Sequence, residues 1–241
     1  MLDYFFTYGS KLPPDVGFPM FGAAHILWLL IGTAATVLLS LKYKKSPDED
    51  RRLMDKLVGW FLVGLIWIRT YYLMVVGYMD VYELPLHLCS LAGFLCVIHA
   101  YRDADWLGQT LYALCLPGTV AALVFPDWTY YPPIHFITIE GFLFHFGVVA
   151  YVVFQLISGR IRPSLRGLWK VLVFLAVAVP PIYFFNKHFH TNYFFVNVPS
   201  PGSPLEWFMQ AFGDPGWLLG YAALVLVIML LMELLGGIRR K

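Results

Sequence analysis

Long apolar stretches separated by short polar segments recur along the whole chain. Seven of them approach the roughly 20 residues with which an α-helix crosses about 30 Å of hydrocarbon. They cover residues 21–41, 57–77, 84–101, 106–125, 134–157, 168–185 and 217–235. The pattern predicts an all-α, polytopic membrane helix bundle, in which residues 1–241 form one domain and residues 186–216 form a long loop.

The composition agrees with a membrane-embedded chain. Of its 241 residues 59% are hydrophobic and 13% are charged, and the mean hydropathy is +0.67. A water-soluble domain rarely reaches such values. The three cysteines lie within predicted spans, so we expect free thiols and not a disulfide framework.

The distribution of basic residues predicts the orientation. Of the 17 lysines and arginines, 14 follow the first, third, fifth and seventh spans. They are Lys42, Lys44, Lys45, Arg51, Arg52, Lys56, Arg102, Arg160, Arg162, Arg166, Lys170, Arg239, Arg240 and Lys241. Basic loops stay in the cytoplasm, so we expect a multi-pass protein of the cell membrane with its N-terminus outside and its C-terminus inside.

The third span, LPLHLCSLAGFLCVIHAY, places ionisable and nucleophilic side chains in an apolar segment. Such residues usually face a protein interior or a wet cavity, so His87, Cys89 and His99 are functional candidates. Pro85 fits the first turn of a helix, where a missing N–H is tolerated.

Polar residues in four different spans share a similar depth. At 1.5 Å per residue, His25 lies about 6 Å, Cys89 about 8 Å, Glu140 about 9 Å and Arg69 about 12 Å below the outer ends of their helices. His145 follows about 16 Å below the outer end of the fifth span. Polar residues with unrelated structural roles are not expected to lie at one depth in four helices. Their shared depth therefore predicts a site in the outer half of the bundle.

Each candidate also has a simpler interpretation. A lone histidine near an interface, such as His25, is more often hydrated or capped than catalytic. Arg69 either forms a structural ion pair with Glu140 or holds a phosphate or carboxylate group. Cys89 is either a nucleophile or an inert buried thiol.

Prolines predict irregular helices in two spans. Pro117–Gly118 predicts a bend in the fourth span, and Pro180–Pro181 predicts a break in the sixth. Asn186 and Asn192 follow that break and join the candidate polar residues. The later segment LEWFMQAF predicts a short helix on the outer membrane surface, which we also consider as a lid over the site.

Three segments carry a resemblance to known families. LPLHLCSL, the fifth-span histidine and NYFF…PSPGSPLEWF…FGDPGW resemble the YwaF-like bacterial integral membrane family and the related transmembrane protein 164 family of animals. The resemblance covers most of the seven spans. The tail departs from it, since the family pattern reads more like G-P-W-P-W where this chain has residues 213–217.

The resemblance implies an enzyme. The animal members look like acyltransferases that move fatty acyl chains into ether phospholipids, and they are distantly similar to membrane hydrolases of fatty-acid esters with a threonine–histidine pair. The family pattern places the nucleophile at the cysteine of LPLHLC, here Cys89, and its partner at His145. The partners implied are the bilayer and a phospholipid or lysophospholipid, with no nucleic acid, metal or cofactor; the oligomeric state stays open.

The chemistry is consistent with these residues. A thiol with an ordinary pKa of about 8.5 is mostly protonated at neutral pH, so it needs a nearby imidazole. An acyl-thioester on Cys89 would pass its acyl group to a lysophospholipid hydroxyl or to water. Arg69, His87 and a free N–H near Pro85 are candidate donors to the oxyanion.

Two other classes remain as alternatives. A transporter or carrier of a lipid or small anion would also place Arg, Glu and His at mid-depth near broken helices, although no inverted repeat is evident. A non-catalytic scaffold would tolerate Cys89→Ser, which an enzyme would not.

Overall fold

The computed structural model of the chain describes residues 2–199, 203 and 205–238. These residues form helices joined by loops, without a strand, so the all-α prediction is confirmed for them. The helices are α1 Ala23–Lys45, α2 Asp48–Val76, α3 Leu88–Tyr101, α4 Asp105–Val124, α5 Phe136–Ser158, α6 Leu168–Phe189, α7 Leu205–Phe212 and α8 Trp217–Ile238.

Six of these helices are long and apolar enough to cross a membrane, namely α1, α2, α4, α5, α6 and α8. Helix α3 has 14 residues. It therefore reaches about 21 Å, which is short of the roughly 30 Å of a hydrocarbon core. The described residues thus support a polytopic helical membrane protein with six candidate spans, and the predicted seventh is not among them.

The third segment begins its helix later than the sequence predicts. Residues 84–87 are not helical, His87 is the N-cap, and Pro85 lies outside the helix. The prediction that Pro85 occupies the first helical turn is therefore wrong. The N–H of Leu86 bonds to the carbonyl oxygen of Leu84 at 2.7 Å, so a tight turn around the proline replaces the expected helical turn.

The prolines act differently in α4 and α6. In α4 a π-helical turn, Leu111–Cys115, directly precedes Pro117. The proline ring has no N–H and crowds the carbonyl four residues before it, and the wider turn relieves that conflict. Helix α6 continues through Pro180 and Pro181, so the predicted break is wrong there. Membrane helices tolerate proline when neighbouring groups satisfy the freed carbonyls.

Helix α5 is the central helix of the bundle. It packs against α1, α2, α3 and α4, whereas α6 and α8 pack on the other side of α4. Leu62 of α2, Leu111 of α4 and Val148 and Tyr151 of α5 are fully buried in the shared core. Two of the candidate residues, Glu140 and His145, therefore lie on a helix that packs against four others.

A buried polar network joins the helices at the end opposite to Cys89. Gln155 Nε2 donates to Asp55 Oδ1 at 2.6 Å, and Arg160 Nε donates to Gln155 Oε1 at 2.9 Å. Arg160 also donates to the other Asp55 oxygen and to the hydroxyl of Tyr43. The network connects the ends of α1, α2 and α5 and pairs the buried Asp55 carboxylate.

The predicted short helix near the C-terminus is confirmed as α7. Its Phe208 packs where a side chain on Gly220 of α8 would collide with it, while Trp207 is 69% exposed. Residues 200–202 and 204 of the predicted loop, and the basic residues 239–241 used to predict the orientation, lie outside the described residues.

Candidate functional site

Cys89 occupies the first turn of α3. It is the second helical residue, and the first intrahelical bond runs from the N–H of Leu91 to the carbonyl oxygen of His87 at 3.0 Å. In the described part of the chain the N–H groups of Leu88 and Ser90 have no hydrogen-bond acceptor, and the N–H of Cys89 is directed at the sulfur of its own side chain. These free donors and the positive end of the helix dipole favour an oxyanion at this position.

The late NYFF segment supports the start of α3. The ring of Tyr193 meets His87 edge-to-face at 4.8 Å between centroids, and Phe195 lies 5.7 Å from the same ring. The hydroxyl of Tyr193 donates to the carbonyl oxygen of Val81 at 2.7 Å. The two segments that carry the family resemblance, LPLHLC and NYFF, therefore meet in space.

Asn186 holds Tyr193 in place. Its side-chain oxygen accepts from the N–H of Tyr193 at 2.9 Å and from the hydroxyl of Thr191 at 2.8 Å, while its Nδ2 donates to the carbonyl oxygen of Tyr193 at 2.8 Å. Asn186 is fully buried. Its polar atoms form hydrogen bonds within the loop, so Asn186 stabilises the site indirectly through Tyr193.

Asn192 shapes the following turn. Its side-chain oxygen accepts from the N–H groups of Asn197 at 3.1 Å and Val198 at 3.0 Å, and its Nδ2 donates to the carbonyl oxygen of Val198 at 3.0 Å. The side-chain amide of Asn192 is therefore hydrogen-bonded to backbone groups.

His145 has the orientation of a general base. Its Nδ1 lies 2.6 Å from the carbonyl oxygen of Gly141. A carbonyl oxygen can only accept, so Nδ1 carries the proton and Nε2 is left as the acceptor. The imidazole stacks on Trp128 with centroids 5.1 Å apart. Hydrogen bonding and stacking together fix both the tautomer and the ring plane.

Helices α3 and α5 touch at the level of these residues. A Cβ on Gly93, one turn after Cys89, would lie 3.2 Å from the ring of Phe144, the neighbour of His145. Asp127, in the loop before α5, is close enough for its charge to act on both Cys89 and His145. No direct hydrogen bond between the Cys89 thiol and the His145 ring occurs among the described residues. A Cys89–His145 pair requires that α3 and α5 meet, and these two helices do meet.

The partner of Arg69 differs from the prediction. Its Nη2 donates to Oε2 of Glu83 at 2.9 Å, and Oε1 of Glu83 accepts from the hydroxyl of Tyr8 at 2.9 Å. Burial and the neighbouring Glu83 carboxylate raise the pKa of Tyr8 well above its ordinary range, so the phenol keeps its proton. Glu140 is 7% exposed and its charge acts on Arg69, but among the described residues it forms no direct ion pair. The expected Arg69–Glu140 pair is thus replaced by Arg69–Glu83.

His25 has a structural position. Its Nδ1 accepts from the N–H of Phe21 at 3.0 Å, and its Nε2 lies 2.9 Å from the carbonyl oxygen of Leu123. The ring is fully buried. Because both nitrogens are engaged, His25 ties the start of α1 to the end of α4 and leaves no free base.

Four residues near the candidate site were not identified from the sequence: Glu83, Asp127, Trp128 and Tyr193. All four lie in connecting segments. Depth is estimated from the number of residues along each predicted helix, and this estimate cannot be made for a residue in a loop. The acidic run before Pro85 and the dipeptide Asp127–Trp128 between two spans are the signals that were present.

A shallow recess of about 580 Å³ lies elsewhere, between the N-terminal segment and the loop after α4. Leu12, Pro14, Phe18, Thr129 and Tyr130 are among its lining residues. Neither Cys89 nor His145 lines it. We therefore assign the candidate site from the geometry of the side chains and not from this recess.

The chain matches the model of a known protein family. The model of the TMEM164 family matches residues 20–233, a range that includes every candidate residue named above. No curated protein and no solved structure matches the chain. The YwaF-like bacterial resemblance stays a prediction.

The revised pairing of Arg69 predicts an energetic coupling. In a double-mutant cycle with Arg69→Ala, Glu83→Gln should couple by about 0.5–3 kcal/mol, because each change strands the other side chain. The cycle with Glu140→Gln should show weaker coupling, since those charges do not touch. Unfolding in detergent measures both cycles. If Arg69 couples more strongly to Glu140 than to Glu83, the original prediction of an Arg69–Glu140 pair is correct.

Proposed function

The chain belongs to the TMEM164 family, and from this we propose that it is a membrane-embedded lipid acyltransferase, or acyl-ester hydrolase, acting through Cys89 and His145. One observation carries the proposal. The only thiol in a helical first turn among the described residues, Cys89, has free backbone donors around it, and an imidazole with an open Nε2 lies on the adjoining helix.

The first half of the reaction forms an acyl-thioester. His145 Nε2 takes the thiol proton of Cys89 as the sulfur attacks the carbonyl carbon of a phospholipid acyl ester. The carbonyl electron pair moves to oxygen, where the free N–H groups of the first turn of α3 can donate to it. When the intermediate collapses, the C–O bond breaks and the leaving alkoxide takes the proton from the His145 imidazolium.

The second half transfers the acyl group. The hydroxyl of a lysophospholipid, or water, gives its proton to His145 and attacks the thioester carbonyl. The C–S bond then breaks, and the sulfur recovers the proton from the imidazolium. The acceptor decides between transfer and hydrolysis, and neither direction needs a metal or an oxidant.

Arg69 and His87, two further candidate residues, act on the Cys89–His145 pair indirectly. We assign Arg69, held by Glu83, to balancing the charges of Asp127 and Glu140 near the thiolate and the imidazole. The backbone carbonyl of His87, the N-cap, accepts the first hydrogen bond of the turn in which Cys89 lies.

We also propose that residues 84–101 make a seventh crossing, with the N-terminus outside and the C-terminus in the cytoplasm of a cell-membrane protein. Leu84, Leu86 and Leu88 pack against Tyr193 and Phe194, so the non-helical start of this crossing is covered by protein. Irregular backbone at membrane depth is tolerated only under such cover or along a cavity. The sites of Cys89 and Arg160 then face opposite leaflets.

The orientation has a direct test by labelling. In a Cys89→Ala background, Ser46→Cys should react with a membrane-impermeant maleimide only after cells are opened, because the basic loop around Ser46 stays inside. The matched variant Ser10→Cys, in the exposed N-terminal segment, should react in intact cells. The reverse pattern would invert the proposed topology.

The catalytic pair has a kinetic test with purified protein, a phospholipid donor and a lysophospholipid acceptor. Cys89→Ala should abolish acyl transfer, and His145→Ala should lower kcat by about 10²–10⁴-fold. The double variant should be no worse than Cys89→Ala, because residues that act as one unit are not additive.

The matched control for that test is Cys96→Ala, which removes a fully buried thiol from the same helix. It should retain acyl transfer. Transfer or hydrolysis at the wild-type rate in Cys89→Ala would refute the enzyme in this form, and lipid movement by that variant would then favour the carrier.

A further inference from the structure

We propose that the indole N–H of Trp128 donates a hydrogen bond to the carbonyl oxygen of the lipid acyl ester, which makes Trp128 a further catalytic residue. The inference rests on the function proposed above and adds a side-chain donor to the backbone donors of α3.

Trp128 carries a buried donor without an acceptor. The side chain is 8% exposed, and its Nε1 is buried with no hydrogen-bond partner among the described residues. By contrast, Nε1 of Trp28 donates to the carbonyl oxygen of Pro133 at 3.0 Å, and Nε1 of Trp217 donates to Asp214 at 3.3 Å. Buried donors are nearly always paired, so an unpaired one beside a reactive group indicates where a ligand oxygen binds.

The donor lies beside the base. The indole stacks on the His145 imidazole with an interplanar angle of 27°. A Cβ on Gly141 would lie 3.0 Å from Cε2 of Trp128, the ring carbon bonded to Nε1. The N–H edge is thus held against the same residue whose carbonyl fixes Nδ1 of His145. A side chain at position 141 would displace the indole by a few tenths of an ångström.

The surrounding charge favours a neutral acceptor. The carboxylates of Glu83 and Asp127 both act on Arg69, so this region holds no excess of positive charge. A phosphodiester would bring a permanent negative charge among them, whereas an ester carbonyl is neutral when it binds. In the addition step the charge only moves from the Cys89 sulfur to the carbonyl oxygen, so the net charge of the site does not change.

The hydrogen bond strengthens as the reaction proceeds. When the sulfur–carbon bond forms, the carbonyl electron pair moves to oxygen and the Trp128 N–H donates to an oxyanion. When the tetrahedral intermediate collapses, the pair returns and the leaving group departs. The indole keeps its proton throughout, so Trp128 stabilises the intermediate without acting as an acid.

The test removes the N–H and preserves the ring. Trp128 is replaced by benzothienylalanine, in which sulfur takes the place of the indole N–H. Trp28 receives the same replacement as a matched control, because its indole likewise stacks on an aromatic ring, that of Phe142 with centroids 5.1 Å apart, but has a structural acceptor. The change at Trp128 should lower kcat by about 10²–10³-fold, the usual effect of losing an oxyanion donor. The melting temperature should not fall.

The control should behave in the opposite way. Replacing Trp28 should lower the melting temperature, because the carbonyl of Pro133 loses its donor, and should leave kcat close to wild type. If the Trp128 replacement keeps wild-type kcat, or loses activity only in proportion to its stability, the proposal is wrong.

A binding measurement separates this proposal from the function on which it rests. In the inert variant Cys89→Ala, a diester phospholipid should bind about 2- to 10-fold more tightly than its diether analogue, since one hydrogen bond to the carbonyl is at stake. The replacement at Trp128 should reduce that preference, whether or not the wild-type protein shows acyl transfer. An unchanged preference would refute the role of Trp128. An equal loss of affinity for both lipids would indicate that the donor binds phosphate instead.

Discussion

The position of the first turn of α3 inside the protein is the constraint on which the candidate site depends. Backbone N–H and C=O groups at membrane depth must find partners or cover. The segment before α3 is covered by Tyr193 and Phe194, and Asn186 holds that cover with three buried hydrogen bonds. Because α3 begins at Leu88 and not at Leu84, Cys89 lies among free N–H donors and not in the middle of a spanning helix.

The two ends of the bundle satisfy their polar groups to different degrees. Near Arg160 the buried Asp55 carboxylate has arginine, glutamine and tyrosine partners. Near Cys89 the Trp128 N–H and two first-turn N–H groups of α3 have no acceptor in the described residues, and Glu140 lacks a direct ion pair. Not every buried group near Arg160 is paired, since Ser40 Oγ and Gln109 Oε1 have no partner among the described residues. Both oxygens of Asp55 are nevertheless paired, which is consistent with a structural role for that cluster, whereas the free donors beside Cys89 and His145 are consistent with a ligand site.

Hydropathy predicted the membrane class and located most helices, because burial in lipid requires the same length of apolar helix whatever the fold. The depth assigned to Cys89, Glu140 and His145 followed from that pattern, whereas the need for α3 and α5 to touch followed from the proposed pairing of Cys89 with His145. Helix starts were less predictable: the turn at Pro85 depends on packing from Tyr193, about a hundred residues later in the chain. The partner of Arg69 was missed for the same reason, since Glu83 lies in a loop whose path is set by tertiary contacts such as the hydrogen bond from Tyr8.

The most direct test of the central claim is the intact mass of the purified protein after incubation with phospholipid. An acyl-thioester on Cys89 predicts an increase by one fatty acyl group that hydroxylamine removes, in the wild type and in Cys96→Ala but not in Cys89→Ala. An acyl adduct that persists in Cys89→Ala, or a wild-type protein that transfers acyl groups through an ester resistant to neutral hydroxylamine, would contradict it.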